Sequence, residues 1–130
     1  MLGEFPAVAN IPVTDLERAK AFYSDILGLE LAAEVEGEGL HYQCGGGTQL
    51  EVYRTRVGVG AGHTEAGFQV DDIELLVTYL QQRGVVFEDY DLGEGLMTVS
   101  GVVSWGEEKA AWFTDPEGNV IGLFQTQPRD

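Results

Sequence analysis

Two side chains able to take part in metal binding or acid–base chemistry, His63 and Glu65, stand two residues apart. If this segment is a β-strand, residues two apart share one face. An imidazole and a carboxylate on one face are suitable ligands for a divalent metal. The other histidine, His41, is expected on a strand surface or a cavity wall.

Motifs of several other catalytic classes are missing. The glycine-rich stretches 45–47 and 58–62 lack the Lys-Ser/Thr pair and the following helix start of a phosphate-binding loop, so we interpret them as turns. No Gly-x-Ser-x-Gly nucleophile motif is present. Cys44, the single cysteine, has no partner for an internal disulfide, and this favours a reducing, cytoplasmic location.

Composition indicates one packed globular domain of acidic character. The 130 residues are 44% hydrophobic and 10% aromatic, and 22 acidic against 7 basic residues give a formal net charge of −15. Nucleic-acid binding requires clustered Lys and Arg, so this charge argues against it. No apolar run reaches the roughly 20 residues that would span a bilayer, and no signal peptide is expected.

A weak internal repeat organises the chain. Val13-Thr14-Asp15-Leu16 and Val70-Asp71-Asp72-Ile73 lie 57 residues apart, and each opens a helical pattern with an Asp at the N-cap. Each pattern is followed by a glycine, Gly28 or Gly84, as a helix end in the left-handed region requires. Two similar units in one small chain must share a core, and a groove between them is a natural ligand site.

Hydrophobic periodicity predicts the elements of both units. We expect helices over residues 16–27 and 73–83. We expect strands over residues 7–13, 30–36, 40–44, 49–54, 65–70, 85–90, 109–114 and 119–126. The segment 91–108 is predicted to hold a strand and a long mobile loop that carries Trp105. Modules over residues 5–56 and 64–126, joined by a connector over 57–63, make up the single domain.

The residues around the repeat also carry a family resemblance. The stretch 11–23, with Leu27-Gly28-Leu29, resembles the opening of vicinal oxygen chelate proteins, and the stretch 113–121 resembles their closing hairpin. That superfamily includes glyoxalase I, extradiol dioxygenases, fosfomycin-resistance enzymes and bleomycin-binding proteins. The ending Gly122-Leu123-Phe124-Gln125 is similar to that of the subgroup related to lactoylglutathione lyase.

The resemblance implies an α+β fold of tandem βαβββ modules that form a curled eight-stranded mixed sheet around a cavity. It also implies a homodimer. Enzymes of the superfamily hold a divalent metal through four inward side chains, which fall here on Val8, Glu51, Glu65 and Gly122. Valine and glycine offer no ligand atom, so we predict no resident metal. A weak divalent site at Glu51, Glu65 and His63 is the alternative.

Strand alternation then predicts the wall of the cavity, with Trp105 able to cover its mouth. The predicted ligand-binding residues are Val8, Asn10, His41, Tyr53, His63, Trp105, Trp112, Gly122 and Phe124. The function we favour is binding of a small organic molecule without a catalytic metal. The alternative is a lyase, isomerase or epimerase in which Glu51 and Glu65 act as an acid and base pair.

Overall fold

The computed structural model describes residues 1–55, 60, 62–93 and 95–125, except for the side chains of Leu2 and Trp105. Eight strands and two main helices form two similar halves, and this confirms the predicted α+β fold of tandem modules. Within the described part of the chain, the helices are too short or too polar to cross a membrane. The module boundaries and the homodimer stay predictions.

The first module places one helix among four strands. After a 3₁₀ turn over Leu2–Glu4, its elements are β1 (Val8–Val13), α1 (Leu16–Lys20, continued by a π-helical turn over Ala21–Ile26), β2 (Glu30–Val35), β3 (Gly39–Gln43), a 3₁₀ turn over Gly45–Gly47, and β4 (Gln49–Arg54). The strand order is β1-β4-β3-β2, with β1 parallel to β4 and the other neighbours antiparallel.

The second module repeats this plan. Its elements are β5 (Thr64–Gln69), α2 (Ile73–Gln82), β6 (Val102–Trp105), β7 (Glu108–Thr114) and β8 (Val120–Gln125). The strand order β5-β8-β7-β6 is that of the first sheet, again with one parallel pair, β5 and β8. The edge strands β1 and β5 lie close together, so the two sheets meet there.

The sequence interpretation was wrong between the second helix and β6. Residues 85–90 were predicted as a strand, but Phe87 forms only an isolated bridge to Phe113. The strand predicted within 91–108 lies over Val102–Trp105 and is the fourth strand of this sheet, so Trp105 is on that strand and not in the long loop. The segment 85–90 has apolar residues typical of a strand, but it meets β7 over a short stretch beyond residues 108–111, which pair with β6. The contacts are the Phe87 bridge and a hydrogen bond from Glu88 N to Trp112 O.

Both helices begin as the repeat predicted and bury one stripe. The Asp15 carboxylate accepts a hydrogen bond from Arg18 N, and Asp72 accepts one from Leu75 N. Gly28 and Gly84 end the helical segments at φ values of 72° and 93°. The buried helical side chains pack on one face of the sheets in a single core. They are Ala19, Phe22, Tyr23, Ile73, Val77 and Leu80.

The β7–β8 turn binds the second module to the first. The buried carboxylate of Asp115 accepts hydrogen bonds from the Tyr23 hydroxyl (2.8 Å) and from Asn119 N and Nδ2 (both 2.9 Å). Asn119 Nδ2 also donates to Pro12 O on β1 (2.8 Å). Burial, and then the charge of Asp115, raise the pKa of Tyr23, so its hydroxyl remains a donor.

Glu117 of the same turn binds the start of α1. Its carboxylate accepts hydrogen bonds from Thr14 N and Oγ1 and from Asp15 N, at 2.7 to 3.0 Å. The side chain is only 5% exposed. Burial alone would raise the pKa of Glu117, but the hydrogen bonds from Thr14 and Asp15 outweigh it and lower the pKa. The turn formed by Asp115, Glu117 and Asn119 is called the inter-module clamp below.

Replacement of Glu117 by Gln should destabilise the protein by about 1–2 kcal/mol at neutral pH, because hydrogen bonds to an ionised acceptor are lost. The folded-state pKa lies below the unfolded value of about 4.3, so this stability is present above that pH. It disappears as the pH falls through the folded-state pKa. Urea unfolding of both proteins at pH 7 and at the lowest pH, well below 4, at which both still unfold cooperatively measures the difference.

The matched control is Glu36→Gln, at an exposed glutamate after β2. It should change the free energy of unfolding by less than about 0.5 kcal/mol. A difference between Glu117→Gln and the wild type that is the same at both pH values would contradict the role of the ionised carboxylate.

Candidate functional site

Each sheet has one face covered by helices and one that is not. On the first sheet the helix-covered face buries Ile11, Val13, Leu40, Tyr42, Leu50 and Val52. Successive side chains alternate across a strand, so the residues between them point to the other side. That side is called the open face below. Val8, Asn10, His41, Glu51 and Tyr53, all predicted as site residues, lie on the open face of the first sheet.

The open face of the first sheet is polar. Asn10 pairs with Glu51, Glu51 with His41 and His41 with Ala33, so these side chains form one row across four strands. Within this row Nε2 of His41 lies 3.0 Å from Oε1 of Glu51. The His41 and Glu51 side chains are 40% and 34% exposed, so a ligand or solvent can reach the pair. The neighbouring row contains Gln43 and Gln49.

The open face of the second sheet is aromatic. Gly67 pairs with Gly122 and Gly122 with Trp112, and the next row joins Phe124 to Ala110. The Phe124 ring covers both glycines, since a Cβ atom would lie 2.5 Å from the ring at Gly67 and 2.6 Å at Gly122. Non-bonded contacts of a real Cβ atom are essentially never this short. Residues 67 and 122 therefore have to be glycine for Phe124 to occupy this place.

Trp112 stands between two other rings. Its indole is nearly perpendicular to Phe124 (ring centroids 6.3 Å apart) and to Tyr90 (5.7 Å). Burial, and then the charge of Glu88, raise the pKa of Tyr90, which keeps its hydroxyl neutral at physiological pH. The three side chains are partly accessible, with Tyr90 37% exposed.

A pocket of about 230 Å³ opens beside Trp112. Its lining residues within the described ranges come from the second half of the chain: Gly62, His63, Thr64, Tyr90, Leu92, Trp112 and Val120. Two of them, His63 and Trp112, were predicted as ligand-binding residues. Gly122 and Phe124, also predicted, lie next to Trp112 and contact it. The predicted role of Trp105 lies outside the described side chains.

The donor set of a divalent metal centre does not fit this chain. Val8 has no ligand atom, and the space that a side chain at residue 122 would need is filled by Phe124. The strand β1 separates the strands that carry Glu51 and Glu65. In the described parts of the chain, no three His, Cys, Asp or Glu side chains cluster as metal ligands do.

The strand alternation assumed for residues 63–67 fails at Glu65. Thr64 pairs with Val120 and Ala66 with Ile121, so the register shifts at the half-buried Glu65. Val120 and Gly122 lie on the same face of β8, so their partners Thr64 and Gly67 share the open face. The sequence had predicted Glu65 and Gly67 there. Glu51 is in contact with His41, a pairing that the sequence did not predict because it depends on the register of β3 against β4.

Five lining residues of the pocket were not predicted: Gly62, Thr64, Tyr90, Leu92 and Val120. Thr64 was missed because of the shifted register, and Val120 was available from two-residue alternation with Gly122. Tyr90 ends the segment that was predicted as a strand, and Leu92 follows in the predicted long loop. Hydrogen bonds from Leu92 N to Leu96 O and from Thr98 N to Tyr90 O hold the chain there. Only the folded chain brings this segment over β7.

These observations agree with comparisons to known proteins. A family model described as the Glyoxalase/Bleomycin resistance protein/Dioxygenase superfamily matches residues 6–123. The chain belongs to this superfamily. No curated protein sequence matches it.

Solved structures share the superfamily fold with this chain. TnmS3, an antibiotic binding protein from Streptomyces sp. CB03234, is 28% identical, with a TM-score of 0.70 and coverage of 98% of this chain and 99% of that one. A glyoxalase/bleomycin resistance protein from the same organism is 29% identical (TM-score 0.64, coverage 92% and 98%). The lactoylglutathione lyase of Agrobacterium tumefaciens, at 20% identity, shares the fold (TM-score 0.69, coverage 93% and 92%).

Replacement of Gly122 by Ala tests the arrangement of rings. The added methyl group overlaps the Phe124 ring and lies 3.3 Å from Trp112 Cδ1, so both rings must move. We expect a loss of about 1–3 kcal/mol in the free energy of unfolding and a changed near-ultraviolet circular dichroism spectrum. In the background Phe124→Leu the same substitution should cost less, because the ring it overlaps is gone.

Gly45→Ala is the control, since nothing lies within 4 Å of a Cβ atom at that position. It should leave the aromatic circular dichroism signal unchanged. Equal costs of Gly122→Ala in the wild-type and Phe124→Leu backgrounds would show that Phe124 does not occupy this space.

Proposed function

We propose that this protein binds a small organic molecule in the pocket beside Trp112 and does so without a resident metal. The observation that carries the proposal concerns Gly122, at a position that the resemblance assigns to a metal ligand. The Phe124 ring fills the space there, and an accessible pocket lies beside it. Small-molecule sites are concave and largely apolar, with a few polar groups that orient the ligand. Here Trp112, Leu92 and Val120 are the apolar wall, while Thr64, His63 and Tyr90 offer hydrogen-bonding groups.

The comparisons support the same proposal. Two of the structural neighbours above 25% identity are described as an antibiotic binding protein and as a glyoxalase/bleomycin resistance protein. Both are covered almost completely by this chain. Binding and holding a compound requires a preformed pocket but no reacting group, and the pocket beside Trp112 meets that requirement.

A bulky side chain at Thr64 should abolish binding. Thr64 is exposed at the pocket wall, so Thr64→Phe fills the pocket without changing the core. A library of small organic molecules is screened for compounds that raise the melting temperature of the wild type, because a ligand that binds only the folded state stabilises it. The rise should disappear in Thr64→Phe.

Thr48→Phe is the control, since Thr48 is exposed in the β3–β4 turn, outside the residues that line the pocket. It should respond to the same compounds as the wild type. Protein treated with EDTA and dialysed should also respond unchanged. Compounds that stabilise Thr64→Phe as well as wild type, or only protein loaded with metal, would contradict the proposal.

A second candidate function is proton transfer at a carbon next to a carbonyl group. The contact between His41 and Glu51 favours it, because a carboxylate that orients an imidazole is a common form of general base. The polar row around the pair could hold a carbonyl compound by hydrogen bonds. Such a lyase, isomerase or epimerase would use Glu51 as the sequence suggested, with His41 rather than Glu65 as its direct partner.

Deuterium exchange tests this candidate. The protein is incubated in D₂O with a panel of α-hydroxy ketones, and loss of the proton next to the carbonyl is followed by NMR. General base catalysis contributes about 10²–10⁴ in rate, so Glu51→Gln should slow exchange by at least that order while Glu30→Gln, at exposed Glu30 on the edge strand β2, leaves it unchanged. Exchange by the wild type at the buffer rate would rule the candidate out.

A further inference from the structure

The rings around the pocket are held in one arrangement before any ligand arrives. Trp112 is in contact with Phe124 on one side and Tyr90 on the other, each at an interplanar angle of about 80°. Edge-to-face contacts of this kind are preferred by aromatic pairs and add to their apolar burial. Backbone hydrogen bonding also anchors the segment that carries Tyr90, since Glu88 N donates to Trp112 O at 2.9 Å.

Apolar side chains continue this surface below the rings. Phe124 pairs with Ala110, and Ala110 with Val103, so these three side chains form a row on the open face. Ala110 and Val103 are 0% and 1% exposed, although they lie on the side of the sheet opposite to the helices. The open face of the second sheet is thus a small apolar core of its own, and Trp112 is its accessible edge.

Two glycines allow this arrangement. The Phe124 ring lies where side chains at residues 67 and 122 would lie, and Trp112 approaches residue 122 closely. At the matching positions of the first module, Asn10 and Glu51 pair across β1 and β4 as Gly67 and Gly122 pair across β5 and β8. The first module therefore has polar side chains in this row. In the second module the two glycines leave space that the Phe124 ring occupies.

The charge around the site limits what can bind. The formal net charge of the chain is −15, and none of the described lining residues is Lys or Arg. An anionic ligand would meet an unfavourable potential, whereas a neutral or cationic one would not. Indole and phenol faces also attract cations.

We propose that the ligand of this pocket is a flat aromatic molecule, neutral or cationic, that packs against Trp112, and that Gly122 and Phe124 determine this preference by fixing the indole. The inference rests on the proposed function and specifies the chemical class of its ligand. A rigid aromatic wall loses little conformational entropy on binding, so it selects planar rings over puckered saturated ones of similar size.

The test measures affinities by isothermal titration calorimetry for four probes that separate shape from charge. The probes are naphthalenemethanol, its saturated decahydro analogue, N-methylquinolinium and naphthoate. The wild type should bind the neutral and cationic aromatic probes about two- to tenfold more tightly than the saturated analogue, since an aromatic contact adds roughly 0.5–1.5 kcal/mol beyond area burial. Naphthoate should bind more weakly than naphthalenemethanol.

Variants then locate the preference. Trp112→Leu should abolish the ratio of aromatic to saturated affinity, Trp112→Phe should restore part of it, and Phe124→Leu and Gly122→Ala should lower it. Phe5→Leu makes the same aromatic-to-aliphatic change at a side chain that is 68% exposed, and it should leave the ratio unchanged. A general loss of folding would weaken all probes together and would not change the ratio.

The outcomes separate this inference from the function it depends on. If the saturated and aromatic probes bind equally and Thr64→Phe blocks both, the pocket binds small molecules but the ligand class is wrong. The inference is also overturned if no aromatic probe binds, or if Trp112→Leu leaves the ratio intact. Only the compound screen with Thr64→Phe decides whether the pocket binds small molecules at all.

Discussion

The inter-module clamp is the interaction on which the rest of the structure depends. One short turn between β7 and β8 supplies Asp115 to the Tyr23 hydroxyl, Glu117 to the start of α1, and Asn119 to the backbone of β1. Its groups are buried or nearly so, and a buried carboxylate is tolerated only when hydrogen-bonded. The clamp therefore fixes how the second sheet sits against the first, and with it the placement of β5 and β8.

A second contact supports the clamp from the other end of the first helix. The guanidinium group of Arg83, at the end of α2, donates to the carbonyl oxygens of Asp25 and Ile26. These carbonyls belong to the last turn of the helical segment, where intrahelical partners are missing. The clamp thus holds the start of the first helical segment against the β7–β8 turn, and Arg83 holds its end against the end of α2.

The two open faces have diverged although their strands follow the same plan. The first has a row of Asn10, Glu51 and His41, while the second has Gly67, Gly122 and Trp112 in the equivalent row. In a duplicated fold each half can change its side chains while the backbone stays the same, since the core lies on the opposite face. This is why the second open face can hold an aromatic cluster without disrupting the fold.

The sequence by itself determined the architecture and the helix boundaries. Asp15 and Asp72 cap the helices, Gly28 and Gly84 end them, and alternating apolar residues define most strands, because these signals are local and each depends on a few neighbouring residues. The sequence also shows that Val8 and Gly122, at two positions that the resemblance assigns to metal ligands, have no side-chain ligand atom, and this holds in any fold.

Only the tertiary structure decided which side chains meet. The contact of His41 with Glu51, the register shift at Glu65 and the Phe124 ring over Gly67 and Gly122 depend on strand register, and a shift of one residue moves a side chain to the other face. The strand over 85–90 was predicted wrongly because Val85, Val86 and Phe87 are apolar, and only pairing with β7 shows that this segment forms an isolated bridge while Val102–Trp105 forms a ladder. Local pattern thus fixed the elements, while long-range pairing assembled the site.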